Sequence, residues 1–244
     1  EIIAYHKTSG KGPGVIFCGG FMSDMTGTKA TALEEHCRAQ GRSFVRFDYL
    51  GHGDSSGDFA EKGCISRWAD DAAQVLDELT EGPQIIVGSS MGGWVMLKLA
   101  LARPDRIAGL IGIAPAPDFT TWMWGEMTPE QQEIIRRDGR LEQPTEYGDD
   151  PYVITWKLIE DGRENHLLDG DAQLPIMAPV RLLHGMADPD VPWQHSLKIT
   201  EKLATDDVTI KFVKAGDHRL SEPSDIAMLC NTVDELIGLA EAET

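Results

Sequence analysis

Three features of this 244-residue sequence predict an α/β fold with a mostly parallel central sheet and helices on both faces. Short β-rich runs alternate with helical patterns along the chain, which is the rhythm of βαβ units. Several runs, such as IAGLIGI at 107–113, are apolar without alternation, as strands covered on both faces are. Three of them end in glycine-rich stretches: CGGF, DYLGHGDSSG and GSSMGGW.

Strands are expected at 14–18, 44–49, 84–88, 107–113, 180–184 and 208–214, with helices at 28–40, 66–80, 91–102, 193–204 and 224–241. Gly41 stands where a left-handed residue would close the first helix. Residues 1–244 read as one domain, with 117–178 as an insertion between strands. That insertion is too long for bare loop and should carry helices of its own. Trp122, Met123, Trp124 and Met127 crowd its beginning. They either pack the insertion onto the domain or line a lid over an apolar substrate pocket.

Composition narrows the classes. A formal net charge of −18 argues against binding a phosphate backbone, so no nucleic-acid partner is expected. No apolar run is long enough to span a membrane. Cys18, Cys37, Cys64 and Cys230 form no C-x-x-C pair, which favours free thiols in a reducing compartment. The expected location is cytoplasmic. The numbering begins at Glu1 rather than Met, which leaves room for a trimmed targeting segment.

The stretch IIVGSSMGGW reads as strand, tight turn, helix, and Gly88-Ser89-Ser90-Met91-Gly92 matches G-x-S-x-G with Ser90 at its centre. In a nucleophile elbow the central serine occupies a strained turn that lifts its hydroxyl above the sheet. The flanking glycines answer a steric need, since a Cβ there would collide with a neighbouring strand or helix. Ser89 is off-centre.

A serine needs a base, and the base an orienting acid. In this arrangement the order along the chain is serine, acid, histidine. Asp188 follows the strand at 180–184 and His218 follows the strand at 208–214. Both fall at the carboxyl edge of the sheet, where open α/β sheets place their sites. Asp190 is a rival acid, whereas Asp217 is too near His218 along the chain to orient it. His195 is expected at the surface of a helix start and His184 in a structural role at a strand end. A metal site from His184 and Asp188 lacks supporting ligands, so neither metal nor cofactor is expected. The oxyanion donors are read as the backbone N–H groups of Met91, at a helix N-terminus, and of Phe21, after Gly19-Gly20. The 48–57 loop lacks a dinucleotide or P-loop fingerprint and reads as a tight turn, with His52 able to border the pocket.

Together CGGF, DYLGHGDSSG, GSSMGGW, HGMADPDVP and GDHR resemble the serine α/β-hydrolase superfamily. More closely, GTKA, RFDY, GPQIIVGSSMGGW, RLLHGM, VPW and DHR are similar to the mitochondrial palmitoyl-protein thioesterase and acyl-glucuronide esterase family, over about residues 4 to 239. The resemblance implies the α/β-hydrolase fold, with Ser90 as nucleophile, Asp188 as acid and His218 as base. The acidic composition is compatible with a bacterial cytoplasmic relative. The expected function is a cofactor-independent carboxylesterase or thioesterase whose partner is a small-molecule ester, an acyl thioester or an acylated protein. The alternatives are a receptor that keeps the fold without turnover, and a hydrolase that cleaves an amide or C–C bond or, through peracid formation, acts like a perhydrolase.

Overall fold

The structure is a computed structural model that describes residues 1–145 and 151–242. Residues 146–150 of the insertion and 243–244 of the domain lie outside the described residues. Nine strands are described: β1 (Tyr5–Thr8), β2 (Lys11–Cys18), β3 (Arg42–Phe47), β4 (Gln84–Ser89), β5 (Ile107–Ile113), β6 (Arg140–Gln143), β7 (Tyr152–Thr155), β8 (Val180–Gly185) and β9 (Val208–Val213). The main helices are α1 (Thr28–Ala39), α2 (Phe59–Lys62), α3 (Ile65–Leu79), α4 (Met91–Ala102), α5 (Phe119–Glu126), α6 (Pro129–Asp138), α7 (Trp156–Glu164), α8 (Gln194–Lys202) and α9 (Pro223–Ala242).

Seven strands form one sheet in the order β1-β3-β2-β4-β5-β8-β9, and all pairs are parallel except β1 with β3. This is the α/β-hydrolase fold the sequence predicts. From β2 the chain moves outward to β3, then returns to place β4 on the other side of β2. The carboxyl ends of β2 and β4 therefore lie side by side, with Cys18 opposite Gly88. Such a reversal opens a crevice at the strand ends. It positions the site.

Each face of the sheet carries its own core. One buries Ile16, Trp68, Ile86, Trp94 and Leu182 under α3, α4 and α8. The other buries Val15, Leu33, Ile85, Ile111 and Leu236 under α1 and α9. Neighbouring residues of β2 and β4 thus serve opposite faces, which explains why these strands are apolar without alternation. In α3 the buried Ile65, Trp68, Ala72, Val75 and Leu76 recur at helical spacing and make one apolar stripe.

The insertion carries α5, α6, α7 and a β6–β7 hairpin. Its two ends are tied together at Asp118, whose carboxylate accepts the N–H groups of Leu167 (2.9 Å) and Leu168 (2.8 Å). Trp94 of α4 donates its indole N–H to the Asn165 carbonyl at 3.1 Å, anchoring α7 to the domain. The strand β1 is absent from the sequence reading. Its residues Tyr-His-Lys-Thr offer no apolar pattern, and it forms because β3 presents an edge with free ladder positions.

His195 corrects an expectation. It is buried, not at the surface: Nε2 lies 3.0 Å from the Pro117 carbonyl and the ring packs edge-on against Trp122. Helical spacing gave no hint of this, because the covering residues come from the start of the insertion.

Candidate active site

At the end of β4 the chain reverses into α4 within one residue, Ser90, whose φ of 54° and ψ of −120° are unusual for a residue with a side chain. The turn is held by its own backbone. Ser90 N–H donates to the Ile113 carbonyl (2.9 Å), and the Ser90 carbonyl accepts from Gly93 (2.9 Å) and Ala116 (3.0 Å). A Cβ on Gly92 would press into the carbonyls of Cys18 and Gly19, and one on Gly88 into the carbonyl of Gly92. The glycines are thus required where β2, β4 and α4 touch.

The hydroxyl so presented meets a histidine and a carboxylate from two later loops. Ser90 Oγ lies 3.0 Å from His218 Nε2, and His218 Nδ1 lies 2.8 Å from Asp188 Oδ2. The Asp188 side chain has no solvent exposure. Burial by itself would raise its pKa, but hydrogen bonds from His184, His218 and the Val191 N–H outweigh it and hold the carboxyl below the usual range. Its Oδ1 accepts the N–H groups of Asp190 (2.8 Å) and Val191 (2.9 Å). Asp190, the rival acid, is exposed and lends its backbone to Asp188. One ligand atom from each of Asp188, Asp190 and His218 lies within 4.8 Å of the others. A cation there would compete with the serine–histidine–carboxylate chain.

His184 has a role the sequence reading did not foresee. It is completely buried, 2.7 Å from Ser196 Oγ, 3.0 Å from the Val191 carbonyl and 3.3 Å from Asp188 Oδ2. It braces the acid as well as the turn.

Facing Ser90 across the crevice is the loop after β2. A Cβ built on Gly20 would lie 3.6 Å from Ser90 Cβ. Among the described residues, neither Phe21 N–H nor Met91 N–H donates a hydrogen bond. The Phe21 ring is clamped by Phe59, Trp68, Phe119 and Tyr152 at centroid distances of 5.4 to 6.1 Å.

A cavity of about 1030 Å³ opens over Ser90 and His218. Trp122, Met123 and Met127 line it, joined by Phe21, Phe119 and Tyr152. Trp124, expected among them, does not line the cavity. Its ring packs on Trp156 (5.4 Å) beneath the guanidinium groups of Arg136 and Arg163. On α5, Trp122 and Trp124 are two residues apart and so lie on different faces. Phe119 falls three residues before Trp122, and that spacing was the available signal for it.

The family described as serine aminopeptidase, S33 matches residues 14–137. The chain belongs to this family of serine α/β-hydrolases. The mitochondrial palmitoyl-protein thioesterase ABHD10 of Mus musculus is 43% identical over 237 residues, covering 96% of this chain and 78% of the relative. The mouse alpha/beta hydrolase domain-containing protein 10 structure superposes with a TM-score of 0.88 at 42% identity, covering 97% of this chain and 94% of that one. A crystal structure of an Agrobacterium vitis S4 protein gives 0.92 at 40% identity, covering 96% and 93%. The expected cytoplasmic location is overturned by these comparisons. The relatives from mouse, rat, cattle, orangutan and human are all named as mitochondrial proteins. Composition could not fix a location, because an acidic chain is compatible with several compartments.

Proposed function

We propose that this serine hydrolase cleaves esters and acyl thioesters with Ser90 as nucleophile, His218 as general base and Asp188 as its orienting acid. The observation that carries the reading is the hydrogen-bonded chain from Ser90 through His218 to the buried Asp188, built on a strained serine turn. His218 Nε2 takes the proton as Ser90 Oγ attacks the acyl carbonyl, and Asp188 stabilises the imidazolium. The Phe21 and Met91 N–H groups receive the oxyanion as preorganised donors. His218 then protonates the leaving alkoxide or thiolate, and water cleaves the acyl-enzyme by the same route.

The acyl group occupies the face lined by Phe119, Trp122, Met123 and Met127. Flexible methionine and flat tryptophan adapt to apolar chains. The insertion 117–178 serves as the lid of a single catalytic domain, and the likeness to palmitoyl-protein thioesterases supports long-chain thioesters, including acylated proteins, as substrates.

The test is hydrolysis of p-nitrophenyl esters with acyl chains of two to sixteen carbons, beside the matching thioesters, by wild type and Ser90→Ala. Substitution should lower kcat by at least about 10⁴-fold. Undiminished turnover in the variant would refute the assignment. A wild type that hydrolyses none of these compounds would instead favour the receptor reading.

A further inference from the structure

The glycine-rich loop after β3, DYLGHGDSSG, plays no part in the chemistry above, yet it grips the oxyanion loop at two points. His52 Nε2 accepts the Met22 N–H at 3.1 Å, and Asp48 Oδ1 accepts the Met25 N–H at 2.6 Å. Met22 adjoins Phe21 and sits at a φ of 51°, a left-handed conformation that costs energy for a side-chain residue. Such a turn persists only where its surroundings over-determine it.

His52 is built for this single task. It is buried, with its ring edge-on to Tyr49, Phe59 and Trp68 at centroid distances of 5.2 to 5.6 Å. Its Nδ1 lies 3.3 Å from the Leu50 carbonyl, which makes Nδ1 the protonated nitrogen and leaves Nε2 as acceptor. Burial pushes its pKa down to about 4, so that acceptor survives at neutral pH. Two of its ring neighbours, Phe59 and Trp68, also clamp the Phe21 ring. From the opposite side the Met22 thioether accepts the Val153 N–H of β7 at 3.2 Å, which ties the same residue to the insertion.

We propose that His52 is a positioning residue for the oxyanion hole: by accepting the Met22 N–H it aims the adjacent Phe21 N–H at the reacting carbonyl. This rests on the reading of Phe21 N–H as an oxyanion donor. A misplacement of about 1 Å at such a donor costs about 100-fold in rate, whereas ground-state binding in the cavity is left alone.

The experiment compares His52→Leu, His52→Gln and Ser90→Ala in steady-state hydrolysis of p-nitrophenyl butyrate and in affinity for an alkyl trifluoromethyl ketone. That ketone forms a tetrahedral adduct with its oxyanion in the hole. His52→Leu should lower kcat by about 10- to 100-fold, leave KM within about threefold, and weaken ketone binding by a similar factor to kcat. Gln, whose amide oxygen can replace Nε2 as acceptor, should recover most of both. A folded Leu variant with wild-type kcat overturns the proposal, as does a Gln variant impaired as much as Leu. Should Leu fail to fold, Gln alone decides, and a loss beyond about tenfold in kcat overturns it. Ser90→Ala separates the two levels. Activity retained there sinks the underlying reading, whereas activity lost there with His52 variants unaffected sinks only the role of His52.

Discussion

His184 and His218 converge on one atom, Oδ2 of Asp188, at 3.3 and 2.8 Å. His218 faces Ser90, and His184 is buried against Ser196 and the Val191 carbonyl. Asp188 is therefore contacted from behind by His184 as well as from in front by His218, the front contact being the shorter.

Removing the rear brace should cost stability first. In His184→Leu the Ser196 hydroxyl and the Val191 carbonyl lose a partner in a fully buried setting. A buried polar group left unsatisfied costs about 1 to 3 kcal/mol. Urea unfolding should show a loss of about 2 kcal/mol or more, with kcat lowered about tenfold as Asp188 loosens. An unchanged midpoint would mean that His184 braces nothing.

Asp188→Asn should preserve the fold and lower kcat by about 10⁴-fold, because an amide favours the wrong tautomer of His218. Its pH dependence carries a definite sign. The folded-state pKa of Asp188 lies below the unfolded value of about 3.9. The stabilisation it contributes is therefore complete above about pH 5 and lost as pH falls through the folded pKa. Urea midpoints measured from pH 7 down to pH 3 should fall more steeply for wild type than for Asp188→Asn. Parallel curves would show that the carboxylate gains nothing on folding.

Chain-length selectivity should respond to Trp122. Its ring lines the cavity and rests on His195, which is in turn fixed to Pro117. Trp122→Ala removes apolar lining, and hydrophobic pocket contacts discriminate by about 1 to 3 kcal/mol. KM for twelve- to sixteen-carbon esters should rise by about tenfold or more, whereas acetate ester hydrolysis should change little. Equal effects on short and long esters would place the acyl chain elsewhere. Trp124→Ala is the control, since that ring packs on Trp156 outside the cavity.

Much of the candidate site was legible because its signals are local. The G-x-S-x-G turn and the positions of Asp188 and His218 after late strands each follow from a short stretch and its place beside a strand. Three features were not legible. His195 reads as surface along its own helix and is buried by Trp122 and Pro117, which lie over 70 residues away in sequence. His184 reads as a turn residue because nothing in its neighbours announces contact with Asp188. The gap between Trp122 and Trp124 depends on which face of α5 meets the domain, and an aromatic-rich stretch does not specify that.

By itself the sequence determined the six central parallel strands in their order, the turn that carries Ser90 and the candidate partners Asp188 and His218. Periodicity, glycine placement and chain order are local properties and need no knowledge of distant neighbours. The tertiary structure decided which distant groups meet. Only the reversal of strand order between β2 and β4 puts the Phe21 loop across from Ser90. Only packing brings His52 beneath Met22 and His184 behind Asp188. Those contacts join residues far apart along the chain and are set by how sheet, helices and insertion close-pack, a collective outcome that no single stretch encodes.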